Sequence, residues 1–326
     1  MNTKTRTAVL GVIGLGVVIG GVLIWRQLAG GPAPANGATV AQEKLEEALA
    51  DAQQLVALGE DGRAAAVLDR AVREHVDNQP LRLLYADVLM DQDRLPEAYA
   101  QYEAALAIGP RTPEVEFAAG TVASMIGRND RALEHYAAAQ TGDMNNPDYP
   151  LYLAQVQRKT GDLAGAKSSI LRAGQLDPDR AIVWGTLADI FLAENALGPA
   201  GEQIAKARKL EPDNVEWRLI EARILKRQGQ PEEALDLLIG LDESEKSRPE
   251  IMQVLSECYG LLSRPADAAA MYVARAQADP SDRGMAREAA IWSERAGDLD
   301  AALEYAKRAA MLGDEAGRKM VERLQK

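Results

Sequence analysis

General acid–base catalysis needs a titratable group held by an orienting partner beside a substrate pocket. The chain offers two histidines, His75 and His135, and neither sits in a paired-carboxylate motif, so each reads as a surface or internally satisfied histidine. The patterns GxSxG, HExxH, the P-loop and CxxC are all missing, which leaves nucleophilic and metal catalysis without a constellation. Cys258 is the only cysteine, so neither an intramolecular disulfide nor a multi-cysteine zinc site is open to the chain. It lies in an apolar run, where a buried structural thiol is expected. The residues therefore predict no enzyme activity, no cofactor and no metal.

Charge narrows the binding chemistry. Of 326 residues, 1–42 hold Lys4, Arg6 and Arg26 and no acid, so all 49 acidic groups lie in the remainder. Nucleic-acid binding neutralises phosphates with a basic surface, and an acidic body is unsuited to it. The acids Asp242, Glu243 and Glu245 read as a solvated turn between helices.

The elements that must carry any site repeat with a period of 34 residues, starting at Leu45, Gln79, Pro113, Pro147, Ala181, Val215, Pro249 and Arg283 without insertion or deletion. Position 20 is alanine in all eight: Ala64, Ala98, Ala132, Ala166, Ala200, Ala234, Ala268 and Ala302. Position 8 is small throughout, and position 27 is alanine except for Leu241 and Arg275. Position 24 is large until Ala306 ends the series. Gly59, Gly127, Gly161, Gly229 and Gly297 share position 15 with Asp93, Asn195 and Ser263, residue types that suit the left-handed turn closing a helix. Pro110, Pro178, Pro212 and Pro280 mark where second helices stop. Each repeat is thus two helices joined by a tight turn. Side-chain size sets how near helices approach, so alanine at 8 and 20 is expected to lie where they cross.

This pattern resembles the tetratricopeptide repeat family, with Trp184, Leu187, Ala188, Phe191, Ala200, Ile204, Ala207 and Pro212 as the fullest match. Arg82 and Arg218, at position 4, are the poorest. The resemblance implies an all-α fold, a right-handed superhelix or α-solenoid of eight helix–turn–helix repeats over 45–316, with a capping helix at 317–326. No single repeat buries enough to offset its ordering entropy, so stability must come from stacking.

The resemblance also implies that first-helix positions 2, 5, 9, 12 and 13 line a concave, partner-binding face. Position 5 supplies Leu83, Phe117, Leu151 and Leu219 as an apolar stripe, unless Leu83 and Leu219 turn inward to fill space that Arg82 and Arg218 cannot. Positions 9, 12 and 13 supply Arg158, Lys159, Arg223, Lys226 and Arg227, a basic patch on an acidic protein that would receive an acidic peptide or a terminal carboxylate, or else a scatter of solvated cations. Family members that clamp chaperone tails use lysine at position 5 and asparagine at position 9. No asparagine stands at position 9 here, so that ligand class is not inherited.

Residues 8–25 are uncharged, and as a helix these 18 residues would cover roughly 27 Å, a bilayer's hydrocarbon core. Trp25 and Arg26 suit the emergence into headgroups, and the basic tail 1–7 predicts an inner-membrane, single-pass anchor with its amino terminus cytoplasmic and its body periplasmic. A signal peptide cleaved near Ala33-Pro34-Ala35, giving a secreted protein, is the alternative. Gly16 and Gly20 form a GxxxG pair that would suit a homo-oligomer. Residues 26–44 read as a flexible Gly/Ala/Pro linker. The function expected is a membrane-anchored scaffold or adaptor for a protein or peptide in envelope assembly or complex biogenesis, or failing that a structural homo-oligomeric frame.

Overall fold

A computed structural model of the chain describes residues 36–326. They form eighteen helices and, among the described residues, no strand. In chain order these are α1 (Asn36–Ala57) and α2 (Asp61–Glu74), α3 (Gln79–Asp91) and α4 (Leu95–Ile108), α5 (Pro113–Met125) and α6 (Asn129–Gly142), α7 (Asp148–Lys159) and α8 (Leu163–Leu176). There follow α9 (Ala181–Ala193) and α10 (Leu197–Leu210), α11 (Val215–Arg227) and α12 (Pro231–Ile239), the one-turn α13 (Glu243–Lys246), α14 (Pro249–Leu261) and α15 (Pro265–Ala278), α16 (Arg283–Arg295) and α17 (Leu299–Met311), and α18 (Glu315–Leu324). The described chain falls into two compact halves, one ending at Pro178 and one spanning Asp179–Lys326. Each is a solenoidal stack in which helices pack on their sequence neighbours.

The small residues of positions 8 and 20 lie in the core. All eight position-20 alanines are fully buried, as are Ala52, Ala86, Ala154, Ala188, Ala222 and Ala290 at position 8. Leu68, Tyr102, Tyr136, Ile170, Ile204, Leu238 and Tyr272 at position 24 fill the space beside them and are buried. Where the position-24 residue is tyrosine its hydroxyl finds a polar partner on the repeat's own first helix. Tyr102 donates to Asp87, Tyr136 donates to Thr121 Oγ1 over 3.2 Å, and Tyr272 meets Ser256 at 3.4 Å. A buried hydroxyl without such a partner would cost a hydrogen bond.

Position 15 is left-handed in every repeat, with φ from 55° at Ser263 to 88° at Gly161. Backbone bonds then close the turns, as in Gly229 N–H to Lys226 O at 3.1 Å and Gln230 N–H to Leu225 O at 3.0 Å. Second helices α4, α8, α10 and α15 stop two residues before Pro110, Pro178, Pro212 and Pro280.

Three features differ from the sequence reading. α1 starts at Asn36, within the stretch read as linker; beyond Pro34 that stretch holds no proline, and its alanines are good helix formers. The sixth repeat ends its second helix at Ile239 with Gly240 as the cap, and Leu241 enters the core from the turn that follows, 8% exposed, whereas Arg275 at the same position of the seventh repeat stays within a continuous helix. Asp242 then accepts from Glu245 N–H at 2.9 Å and starts α13, so the acidic cluster caps a short helix. α18 starts at Glu315 and packs on α17, with Met320 buried. The segment 8–25 lies outside the described residues; among those described, no helix is long and apolar enough to cross a membrane.

Candidate functional site

The position-5 stripe is not a surface. Leu83, Phe117, Leu151 and Leu219 are all buried. Phe117 lies inside an aromatic cluster, its ring centroid 5.5 Å from Tyr136, 5.2 Å from Tyr149 and 5.0 Å from Tyr152. For Phe117 this places position 5 in the seam with the next repeat, and burial puts all four in the core, Leu83 and Leu219 included. In the fifth repeat the same position is Gly185, and the reason is visible: a Cβ there would lie 2.1 Å from Cζ3 of Trp217.

The basic residues divide between the halves. Arg158 and Lys159 close α7 in the first half and are exposed. Arg223, Lys226 and Arg227 lie on α11 in the second half, where Lys226 and Arg227 line an open groove of about 740 Å³. Three successive first helices, α11, α14 and α16, bring their carboxyl-terminal ends to this groove. α14 contributes Glu257, Gly260 and Leu261, and α16 contributes Trp292 and Arg295.

The groove's charges are unequally engaged. Lys226 pairs with Glu257 Oε2, and Gln253 Nε2 donates to Glu257 Oε1 at 2.9 Å, so both oxygens of the lining carboxylate are taken. Burial works to raise the Glu257 pKa, yet the hydrogen bonds from Lys226 and Gln253 and the charges of Lys226 and Arg223 leave it below its ordinary value. Arg227 Nη1 donates to Leu192 O at 2.6 Å. Arg295 lies over the Trp292 ring, 4.5 Å from its centroid. Leu261 is 62% exposed between them. Gly260 lets α14 lie close, since a Cβ there would stand 3.0 Å from Trp292 Cη2. Arg295, Trp292 and Leu261 escaped the sequence reading, although Arg295 occupies position 13, the same position as Lys159 and Arg227.

His135 is also accounted for. It is buried on α6 with Nδ1 2.7 Å from Glu116 Oε2, while Nε2 stands 2.9 Å from Glu103 Oε1. Arg111 Nε donates to Glu116 at 2.7 Å and Arg131 Nη2 to Glu103 at 2.7 Å, so the imidazole belongs to an ionic network joining α4, α5 and α6. Burial pushes the Cys258 thiol up to about 11, which keeps it protonated and unreactive. Among the described residues no group of His, Cys, Asp or Glu side chains is placed to hold a metal ion.

Comparison with known proteins agrees with this geometry. The tetratricopeptide repeat family model matches residues 49–113 and 83–150, within the first half. A tetratricopeptide repeat protein from Parabacteroides merdae is 15% identical, with 87% of this chain and 100% of that one aligned at a TM-score of 0.51. PilF of Pseudomonas aeruginosa is 18% identical over 67% of this chain and 99% of its own, with a TM-score of 0.53. A chain of the APC/C hetero-tetramer Cut9–Hcn1 is 13% identical over 86% and 55%, with a TM-score of 0.55. At such identities the likeness shows the fold alone. No curated protein matches the chain.

Proposed function

We propose that this chain, whose repeats are tetratricopeptide repeats, is a membrane-anchored scaffold that holds a segment of a partner protein in the groove of its second half. Tetratricopeptide solenoids serve in general as protein-interaction scaffolds. The observation that carries the proposal here is the groove itself: two exposed arginines, Arg227 and Arg295, flank an exposed leucine, Leu261, in a concavity that no part of the described chain fills. A concavity that combines an apolar side chain with a few placed charged groups is the usual form of a binding site. Anchoring rests on the length and lack of charge of residues 8–25, and an extracytoplasmic body rests on Lys4 and Arg6 preceding that segment.

A photo-crosslinking residue placed at Leu261 in the full-length protein tests the scaffold in living cells. One discrete partner protein is expected, and no product when the probe replaces Leu299, which is exposed outside the groove. The same product from both positions, or a product containing only a second copy of the chain, would refute the hetero-partner reading. Protease added to intact spheroplasts is expected to digest the repeats, and full protection would reverse the topology.

A further inference from the structure

Resting on that scaffold reading, we infer that the groove selects an acidic peptide: a partner segment carrying closely spaced carboxylates beside an apolar side chain, held by Arg227 and Arg295 over Leu261. Three observations carry this.

The first is that the arginines are not needed to cap their helices. Cations near helix carboxyl ends ordinarily offset the dipole and the unpaired carbonyls. Here the turns already do so. On α11, Gln228 N–H bonds to Ile224 O at 2.9 Å and Gln230 N–H to Leu225 O at 3.0 Å; on α16, Ala296 N–H bonds to Trp292 O at 2.9 Å and Asp298 N–H to Ser293 O at 3.0 Å. Arg227 sends one bond across to the neighbouring α9 terminus, at Leu192 O, which fixes its direction and leaves other guanidinium donors for a ligand.

The second is charge balance. Lys226, Arg227 and Arg295 line the groove against a single carboxylate, and Glu257 has both oxygens engaged by Lys226 and Gln253. A net positive patch on a chain of formal net charge −12 would attract a short run of carboxylates. A long polyanion such as nucleic acid would meet the acidic surface around it.

The third is shape. A guanidinium donates along its edges in a fixed fork that matches a carboxylate's two oxygens. Arg295 keeps its Cζ 4.5 Å from the Trp292 ring centroid, a contact that steadies a side chain which remains exposed. Leu261 offers a ligand's apolar side chain somewhere to bury.

The test uses the full-length protein in detergent and a fluorescent, end-blocked peptide, Gly-Ser-Glu-Glu-Leu-Glu-Glu-Ser-Gly, read by anisotropy. The peptide is expected to bind with an affinity that weakens as salt rises. The same peptide with Gln for every Glu should bind roughly tenfold less tightly or worse. Arg295→Gln should weaken the acidic peptide by roughly tenfold, and Arg295→Lys by less, because it keeps the charge and loses the fork. Arg295 is exposed, so an unchanged melting temperature will show the variants folded. Equal affinity for the Gln peptide, an unmoved affinity in a folded Arg227→Gln/Arg295→Gln double variant, or full displacement of the peptide by phosphatidylglycerol nanodiscs would each overturn the inference. A discrete partner crosslinked at Leu261 without acidic-peptide binding would sink this inference alone, whereas loss of the crosslink would sink the scaffold reading beneath it.

Discussion

Asp87 and Ser263 show how single residues depart from what their places favour. Burial raises the Asp87 pKa to about 6; the Tyr102 hydrogen bond opposes that rise and the charge of Asp91 adds to it. A carboxyl whose folded pKa is raised stabilises the fold below its unfolded value near 3.8, and that contribution is lost as pH climbs through about 6. Above pH 6 the ionised group is therefore a burden. Asp87→Asn, which keeps an acceptor for Tyr102, should raise stability at pH 8 by about 2 kcal/mol, with the gain shrinking toward zero at pH 4. Urea denaturation at the two pH values measures it, and a pH-independent gain would point to another cause. Ser263 has φ 55°, a left-handed backbone that costs a residue with a Cβ about 1 to 2 kcal/mol. Ser263→Gly should stabilise by about 0.5 to 1 kcal/mol once glycine's greater unfolded-state entropy is subtracted. Asn195→Gly, at the same position with φ 58°, should gain less, because asparagine tolerates this region. Thermal melts of the two variants side by side decide the matter.

At the scale of the element, a fixed period of small and large residues was enough to place the hairpins, because alanine at positions 8 and 20 has one physical use, the close crossing of helices. Helix phase was harder to read. Position 5 carries leucine or phenylalanine in several repeats, and both a groove-lining stripe and a core seam predict that; only packing against Tyr149 and Tyr152 shows which it is for Phe117. The tyrosine pairs had a signal that went unread: Tyr102, Tyr136 and Tyr272 stand in repeats whose position 8 or 9 is Asp87, Thr121 or Ser256. Leu241 and Arg275 were both visible as departures from alanine, yet only the sixth repeat shortens its second helix, so the departure alone does not foretell the break. Gly185 gives the clearest test of phase. Trp217 is pinned by its Nε1–H donating to Glu211 over 2.8 Å, so its ring cannot easily yield to a methyl placed 2.1 Å away. Gly185→Ala should cost about 1 to 3 kcal/mol through overpacking between α9 and α11, despite alanine's better helix propensity. A stabilised Gly185→Ala in thermal denaturation would mean that position 5 faces solvent there after all.

Over the whole chain, stability in a stack of repeats is a sum of local terms and nearest-neighbour interfaces, so damage should fade with distance along the array. The first half adds a reason to doubt such simple fading, because its ionic network ties Glu103 of α4, Glu116 of α5 and His135 of α6 into one cluster across two repeats. Ala132 stands beside that network and is fully buried at position 20 of the third repeat. Ala132→Leu should cost about 1 to 3 kcal/mol, and hydrogen exchange can follow where the cost appears. If nearest-neighbour terms dominate, protection falls most in α5 and α6, less in α3, α4, α7 and α8, and not at all in Asp179–Lys326. The groove on α11, α14 and α16 would then keep its affinity for the acidic peptide while the first half loosens. If the network makes the first half one cooperative block, protection instead falls equally from α1 to α8. An effect reaching Arg227 or Arg295 would contradict both expectations, since it would require the groove to depend on packing far outside the three repeats that build it.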